Sequence, residues 1–214
     1  FEAQMSKVEA ISGATGDEIT ALTEKAKQMG IDTKYSATES AQALEYMAMA
    51  GWKTEDMLNG IDGVMNLAAA SGEDLAMVSD IVTDSMTAFG LQAKDAAHFS
   101  DVLAMASSAS NTDVAMLGES FKYVAPVAGA MKYSIEDVSL ALGLMANSGI
   151  KASQAGTALR SLLSRMVKPT DEVKDAMKTL GVSLTDAKGN MKPFNDVLGE
   201  LRTGFGKLSD AQKT

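Results

Sequence analysis

Five pairs of adjacent acidic residues are the feature of this sequence best suited to chemistry. Hydrolysis of a sugar polymer such as a cell wall requires two carboxyl groups that flank the scissile bond. Each pair, however, falls in the first turn of a predicted helix, where the helix dipole favours negative charge without any catalysis. A wall-degrading enzyme therefore ranks behind two non-enzymatic functions. The pairs are Asp17-Glu18, Glu55-Asp56, Glu73-Asp74, Glu136-Asp137 and Asp171-Glu172.

The other residue types that support enzyme chemistry are scarce. The 214 residues include one histidine and no cysteine, which excludes disulfide scaffolds, cysteine nucleophiles and multi-histidine metal sites. His98 lies beside an apolar stripe, so we expect a partly exposed structural residue. The glycines at 13 and 16 lack the Gly-Lys-Ser/Thr ending of a phosphate-binding loop. We predict no enzyme activity, no catalytic residue, no cofactor and no metal.

Net charge limits the partners that the surface can bind. The formal charge is −9, from 28 acidic and 19 basic residues, and this opposes binding to DNA or to an anionic membrane. A membrane span needs about 20 apolar residues, whereas the best candidate, 138–150, contains two serines and an asparagine. It is expected to be a buried helix, and sequence-specific nucleic-acid binding is not predicted.

The elements that position these residues are predicted to be helices. Apolar residues recur at three- and four-residue spacing in six segments, and Ala, Met, Leu, Glu and Lys dominate. Thr15, Ser36, Ser71 and Ser134, each followed three residues later by an acid, predict helix starts. Helix ends are predicted at Gly30, Gly51, Gly72, Gly90, Gly149 and Gly181. The predicted helices are roughly 5–12, 16–29, 37–50, 54–70, 74–89, 93–109, 113–130, 135–148, 152–167 and 171–180.

The pattern changes after Gly181. Residues 182–185 alternate between apolar and polar, and residues 186–190 are rich in turn formers, which predicts a short β-hairpin. Helical spacing returns over 194–208. We therefore predict a helical domain over 1–180 and a β-hairpin with a further helix over 181–214.

The chain also repeats itself. Residues 34–53 align without gaps on residues 132–151, with nine identities that include Lys34, Tyr35, Ser36 and Gly51. One helical hairpin cannot bury its own apolar face, so repeated hairpins are expected to stack. The predicted fold class is all-α, an array of packed helical hairpins with a short C-terminal β-hairpin.

Four residues are candidates for helix packing or an interface. Ala152 and Gly156 form a small-xxx-small pair on one helical face, which permits close approach of another helix, either within the chain or between subunits. Arg160 lies on the same helix, where its simplest role is a solvated charge. Trp52 is the one large aromatic residue outside the apolar stripes, and it could anchor a partner.

A series of short motifs, in order along the chain, resembles the core region of tail tape-measure proteins of long-tailed bacteriophages and prophages. The most distinctive is Gly-Ile-Lys-Ala-Ser-Gln-Ala-Gly-Thr-Ala-Leu-Arg over 149–160, and the resemblance extends from about Val8 to about Leu201. The other motifs lie at 12–15, 35–39, 49–51, 66–69, 88–91, 110–112, 123–128 and 180–190.

The resemblance implies a function. Proteins of this family occupy the lumen of the tail tube, set tail length during assembly, and leave with the DNA during genome ejection into the host. The implied partners are tail tube, tail tip and tail-assembly chaperone proteins, other copies in the lumen, and the host envelope during ejection. The implied locations are the virion, and the host cytoplasm during assembly. The family defines no catalytic residues.

The alternative function is a cytoplasmic α-solenoid adaptor that binds a peptide or helix in a concave surface. A solenoid is expected to show a constant sequence period. The gaps between the predicted helices differ here, which counts against the alternative.

Overall fold

Helices make up most of the molecule. The computed structural model describes residues 1–210, of which 76% are helical, and this confirms the all-α prediction. The eleven α-helices of the described residues are α1 (Glu2–Ser12), α2 (Asp17–Asp32), α3 (Ala37–Met49), α4 (Thr54–Ser71), α5 (Leu75–Phe89), α6 (Ala96–Ala109), α7 (Val114–Ala130), α8 (Ile135–Asn147), α9 (Ala152–Val167), α10 (Asp171–Leu180) and α11 (Phe194–Gly206).

The first nine helices stack in two layers. Helices α1, α3, α5, α7 and α9 pack in succession in one layer, and α2, α4, α6 and α8 do so in the other. Each helix thus packs on the next but one along the chain, as in helical-repeat arrays. The apolar side chains between the layers form a continuous hydrophobic core.

The repeat seen in the sequence is also a repeat of structure. Helices α3 and α8 begin and end at positions exactly offset by 98 residues, and α4 and α9 begin with the same offset. Ser36 and Ser134 cap α3 and α8 through their side chains. Gly51 and Gly149 follow those helices with φ of +82° and +87°, a conformation that favours glycine.

Two predicted helix boundaries are wrong for identifiable reasons. Ser71 does not start a helix; it is the last residue of α4, and the next helix is capped by Asp74, whose carboxylate accepts from the Met77 N–H. Gly30 does not end a helix, since α2 continues to Asp32. A Cβ at Gly30 would lie 2.6 Å from the Ala37 nitrogen, so this glycine makes room for the start of α3.

The predicted C-terminal β-hairpin is not formed as a pair of strands. Within the described residues, the segment contains a single antiparallel bridge, between Thr185 and Met191. Backbone hydrogen bonds from Asp186 to Asn190 and from Lys192 to Leu184 flank this bridge. The Asp186 carboxylate accepts from the Lys188 and Asn190 N–H groups, which fixes the residues between them as a turn. Pro193, which has no N–H to donate, then ends the segment immediately before α11.

The domain boundary near Leu180 stays a prediction. Val182, Leu184, Phe194 and Val197 are buried and belong to the same hydrophobic cluster as the layered helices. Residues 211–214 of the second predicted domain lie outside the described residues.

Asp80 on α5 gives the first testable prediction. Burial raises the pKa of this carboxyl group, and the neighbouring Asp84 raises it further, while Lys122 acts in the opposite direction. A pKa that is higher in the folded state means that protonation stabilises the fold, and this stability is lost as the pH rises through the folded pKa. We expect Asp80→Asn to raise the midpoint of thermal unfolding at pH 7. The corresponding gain in the free energy of unfolding should be less than about 1 kcal/mol.

Thermal unfolding at pH 7 and at pH 3 measures this effect. The gain should shrink at pH 3, where Asp80 is mostly protonated in both states. Asp175→Asn, on an exposed residue of α10, is the matched control and should leave the midpoint nearly unchanged. A lower midpoint for Asp80→Asn at pH 7 would contradict the prediction.

Tyr35 and Tyr133, equivalent residues of the repeat, give a second prediction. Both hydroxyl groups are buried and make no hydrogen bond within the described residues. Burial raises the pKa of Tyr133 to about 12, and Asp137 contributes to this shift. Because a buried polar group without a partner costs about 1 to 3 kcal/mol, Tyr133→Phe should leave stability unchanged or raise it. Urea unfolding tests this, and a loss above about 1 kcal/mol would show that the hydroxyl has a stabilising partner.

Candidate functional site

Ala152 and Gly156 lie at a tight interface between α9 and α7. A Cβ on Gly156 would overlap the Ser120 carbonyl oxygen and lie 2.9 Å from the Ser120 Cα. The Ser120 hydroxyl donates to the Ala152 carbonyl oxygen at 2.8 Å. Ala152 itself has a φ of +49°, which is uncommon outside glycine. The small-residue face predicted from spacing therefore contacts a helix of the same chain.

Two glycines inside α7, neither of them among the predicted site residues, make a similar close contact with α5. A Cβ on Gly129 would lie 2.9 Å from the Phe89 Cα, and one on Gly118 would lie 2.6 Å from the Ile81 side chain. Glycine inside a helix is normally destabilising by roughly 1 kcal/mol. Its presence within an unbroken helical pattern was the signal that could have identified this interface.

Arg160 and Trp52, the other two candidates, lie in different environments. Arg160 is exposed on α9. Trp52 is buried, and its ring lies against Gly60 of α4, where a Cβ would overlap the ring. In this conformation Trp52 packs inside the chain, where Gly60 provides the space for its ring.

The acidic pairs are spread over the starts of five helices. Four pairs lie in the first turns of α2, α4, α8 and α10, while Glu73 and Asp74 precede α5 and Asp74 caps it. Within residues 1–210, no group of three or more His, Asp or Glu side chains is arranged to hold a metal ion.

His98 on α6 pairs with Glu136 on α8. The His98 Nε2 lies 2.5 Å from the Glu136 Oε1, and both side chains are about half exposed or more. Burial acts to raise the pKa of Glu136, but hydrogen bonds from its own backbone N–H, from His98 and from Ser134 outweigh burial and hold this pKa below its usual value. The contact joins the first turns of two neighbouring helices.

An apolar groove runs along the surface from that contact. It lies between α6 and α8 and has a volume of about 520 Å³. Its most exposed apolar side chains are Met105, Leu144 and Leu140. The groove is not evident from the sequence, because these residues lie beside the stripes that mark the buried faces of the two helices.

No helix among residues 1–210 combines the length and hydrophobicity that crossing a bilayer demands.

Comparison with known proteins finds relatives among phage tail proteins. The family model described as "Phage-related minor tail protein" matches residues 23–214. The chain is 43% identical over 213 residues to the "Tape measure protein" of Pneumococcus phage Dp-1, and 32% identical over 217 residues to the "Probable tape measure protein" of Escherichia phage P2. Each alignment covers all of this chain but only 18% and 27% of the respective relative. No solved structure shows significant similarity to this chain.

Proposed function

This chain belongs to the family of phage-related minor tail proteins, and on that basis we propose that it is a non-enzymatic structural segment of a tail tape-measure protein. It acts in tail assembly and length determination, and in genome ejection into the host. The observation that carries the proposal is its alignment over its whole length with the tape measure protein of phage Dp-1.

The layered fold suits a structural role. The acidic pairs, which were the best candidates for chemistry, have an adequate explanation as residues at helix starts. Tight contacts at Gly118 and Gly129 join α7 to α5, and one at Gly156 joins α9 to the backbone of α7. Such contacts favour a rigid module.

Length determination, on this proposal, belongs to the longer protein rather than to this segment alone. A single continuous helix of 214 residues would extend about 320 Å at 1.5 Å per residue, whereas this segment folds back into stacked helices of 10 to 18 residues. The segment supplies a folded module within the tail lumen. Its partners there are tail tube, tail tip and chaperone proteins, and other copies of the chain.

The α-solenoid alternative agrees with the stacking of each helix on the next but one. An adaptor in the cytoplasm is nevertheless the weaker function, because the relatives found here are named as tape measure proteins.

The test is an in-frame deletion of this segment in a phage that encodes it, with mass spectrometry of purified wild-type particles for residues of this chain. We expect the segment in virions, and we expect the deletion to abolish tails or leave particles that cannot deliver DNA. Electron microscopy measures tail number and length, and plaque assays measure delivery. Infectious particles with tails of normal length after the deletion would overturn the proposal.

A further inference from the structure

The groove between α6 and α8 is lined by a second apolar stripe on each helix. On α6 the stripe is formed by Val102, Met105, Ala106 and Ala109, and on α8 by Leu140, Gly143 and Leu144, with the polar Asn147 at its end. Both sets follow the i, i+3, i+4, i+7 spacing with which one helix face contacts another helix. Met105 is 71% exposed and Leu144 is 54% exposed, so these apolar faces lack a partner within the described chain.

Contacts at both ends hold the groove open and in register. The His98–Glu136 pair joins the N-terminal turns of the two helices. At the other end, the Asn111 N–H donates to the Asn147 Oδ1 at 2.8 Å. Helices α6 and α8 therefore run parallel, and the groove between these contacts is about 20 Å long, the length of 14 helical residues.

The charges around the groove are negative. Asp101 of α6 and Glu136 of α8 line the groove, and neither helix contains Lys or Arg. The C-terminal ends of both helices add partial negative charge at the far end. A bound helix would therefore gain from cationic side chains along its polar face.

We propose that this groove binds one amphipathic helix of about three to four turns, with an apolar face in the groove and a Lys- or Arg-rich polar face. Docking of a helix face between two helices is an established mode of peptide recognition. The inference does not depend on the proposed function.

A second copy of the chain is the poorer occupant. Each copy carries a net charge of −9, so two copies repel. Helix α9 is the one helix of the described chain with a net positive charge, and most of its exposed residues are polar. Its two large exposed apolar residues, Leu162 and Val167, lie five positions apart and do not form a stripe on one helical face. Helix α9 therefore has too little apolar surface to fill the groove.

The probe for the experiment is a labelled 14-residue peptide with Leu at i, i+3, i+4, i+7 and i+11 and Lys at its other positions. Fluorescence anisotropy with the full 214-residue chain should show saturable binding that weakens as salt is added, because the contacts at the rim are ionic. A peptide with Glu in place of Lys, and a scrambled Leu/Lys peptide without an apolar face, should bind at least about tenfold more weakly.

Variants of the chain locate the site. The double variant Met105→Asp, Leu144→Asp changes exposed groove residues and should weaken binding at least about tenfold. Met49→Asp, on a residue of α3 that is 63% exposed and outside the groove, is the matched control and should bind as the parent chain does. Asp101→Lys should weaken binding of the Lys peptide and strengthen binding of the Glu peptide. Circular dichroism verifies that all variants fold.

Three results would overturn the proposal. The first is binding of the Lys peptide no tighter than that of the scrambled peptide. The second is an equal loss of binding in the Met49 and groove variants. The third is sedimentation showing a dimer of the chain that the groove variant abolishes, because a second copy would then be the occupant.

Discussion

Gly156→Leu is expected to lower the free energy of unfolding by about 2 kcal/mol or more. Adding bulk to a packed site typically costs about 1 to 3 kcal/mol, and here the obstacle is the backbone of Ser120 rather than a mobile side chain. Leucine favours the helix over glycine by roughly 0.8 kcal/mol, which offsets only part of this cost. Urea or thermal unfolding of the chain measures the difference, and Gly156→Ala should already be destabilising.

Gly199 provides the matched control. It lies within α11, it is exposed, and a Cβ there would meet nothing within 4 Å. Gly199→Leu should therefore show only the gain in helix propensity and stabilise the chain by roughly 0.5 to 1 kcal/mol. An unchanged or raised midpoint for Gly156→Leu would contradict the α7–α9 contact. If tail assembly then failed in the phage, the face would belong to a partner subunit.

The contact between α7 and α9 illustrates what the sequence could predict. The spacing of Ala152 and Gly156 predicts a small face, and the Ser caps at 36 and 134 predict where α3 and α8 begin, because both signals are local. The identity of the approaching helix is not local. Ser120 is 36 positions away from Gly156 in the sequence, and only the stacking of α9 on α7 brings them together.

The features that could not be predicted from the sequence depend on tertiary contacts in the same way. Periodicity marks the face of α6 and α8 that enters the core, but it does not reveal that a second apolar stripe, such as Met105 or Leu144, lacks a neighbouring helix. Trp52 lies outside every stripe, yet it is buried because Gly60 leaves space for its ring. In the C-terminal segment, alternation predicted strands, and hydrogen bonds from backbone N–H groups to the Asp186 side chain formed a turn instead.

Phe121→Ala is expected to lower the free energy of unfolding by about 3 to 5 kcal/mol, the usual cost of removing a buried phenyl ring. Phe121 of α7 is fully buried, and its ring lies 5.5 Å from that of Phe89 on α5 and 6.0 Å from that of Phe99 on α6. Tyr123→Ala on the same helix is the control. Tyr123 is 37% exposed, so we expect a loss of less than about 1.5 kcal/mol.

The shape of the Phe121→Ala unfolding curve tests how the two copies of the repeat are joined. The 98-residue offset relates α1–α4 to α6–α9 to within four residues, so these two groups of helices are the two copies. Phe89 lies on α5 between them, and α4 also packs directly on α6. Because the core is continuous across this junction, we expect the variant to unfold in one transition at a lower midpoint. If the copies were independent, the second would unfold first, and the curve would show an early step followed by a later one at the midpoint of the parent chain. Far-ultraviolet circular dichroism separates these outcomes, because each copy contributes about half of the helical signal from these eight helices.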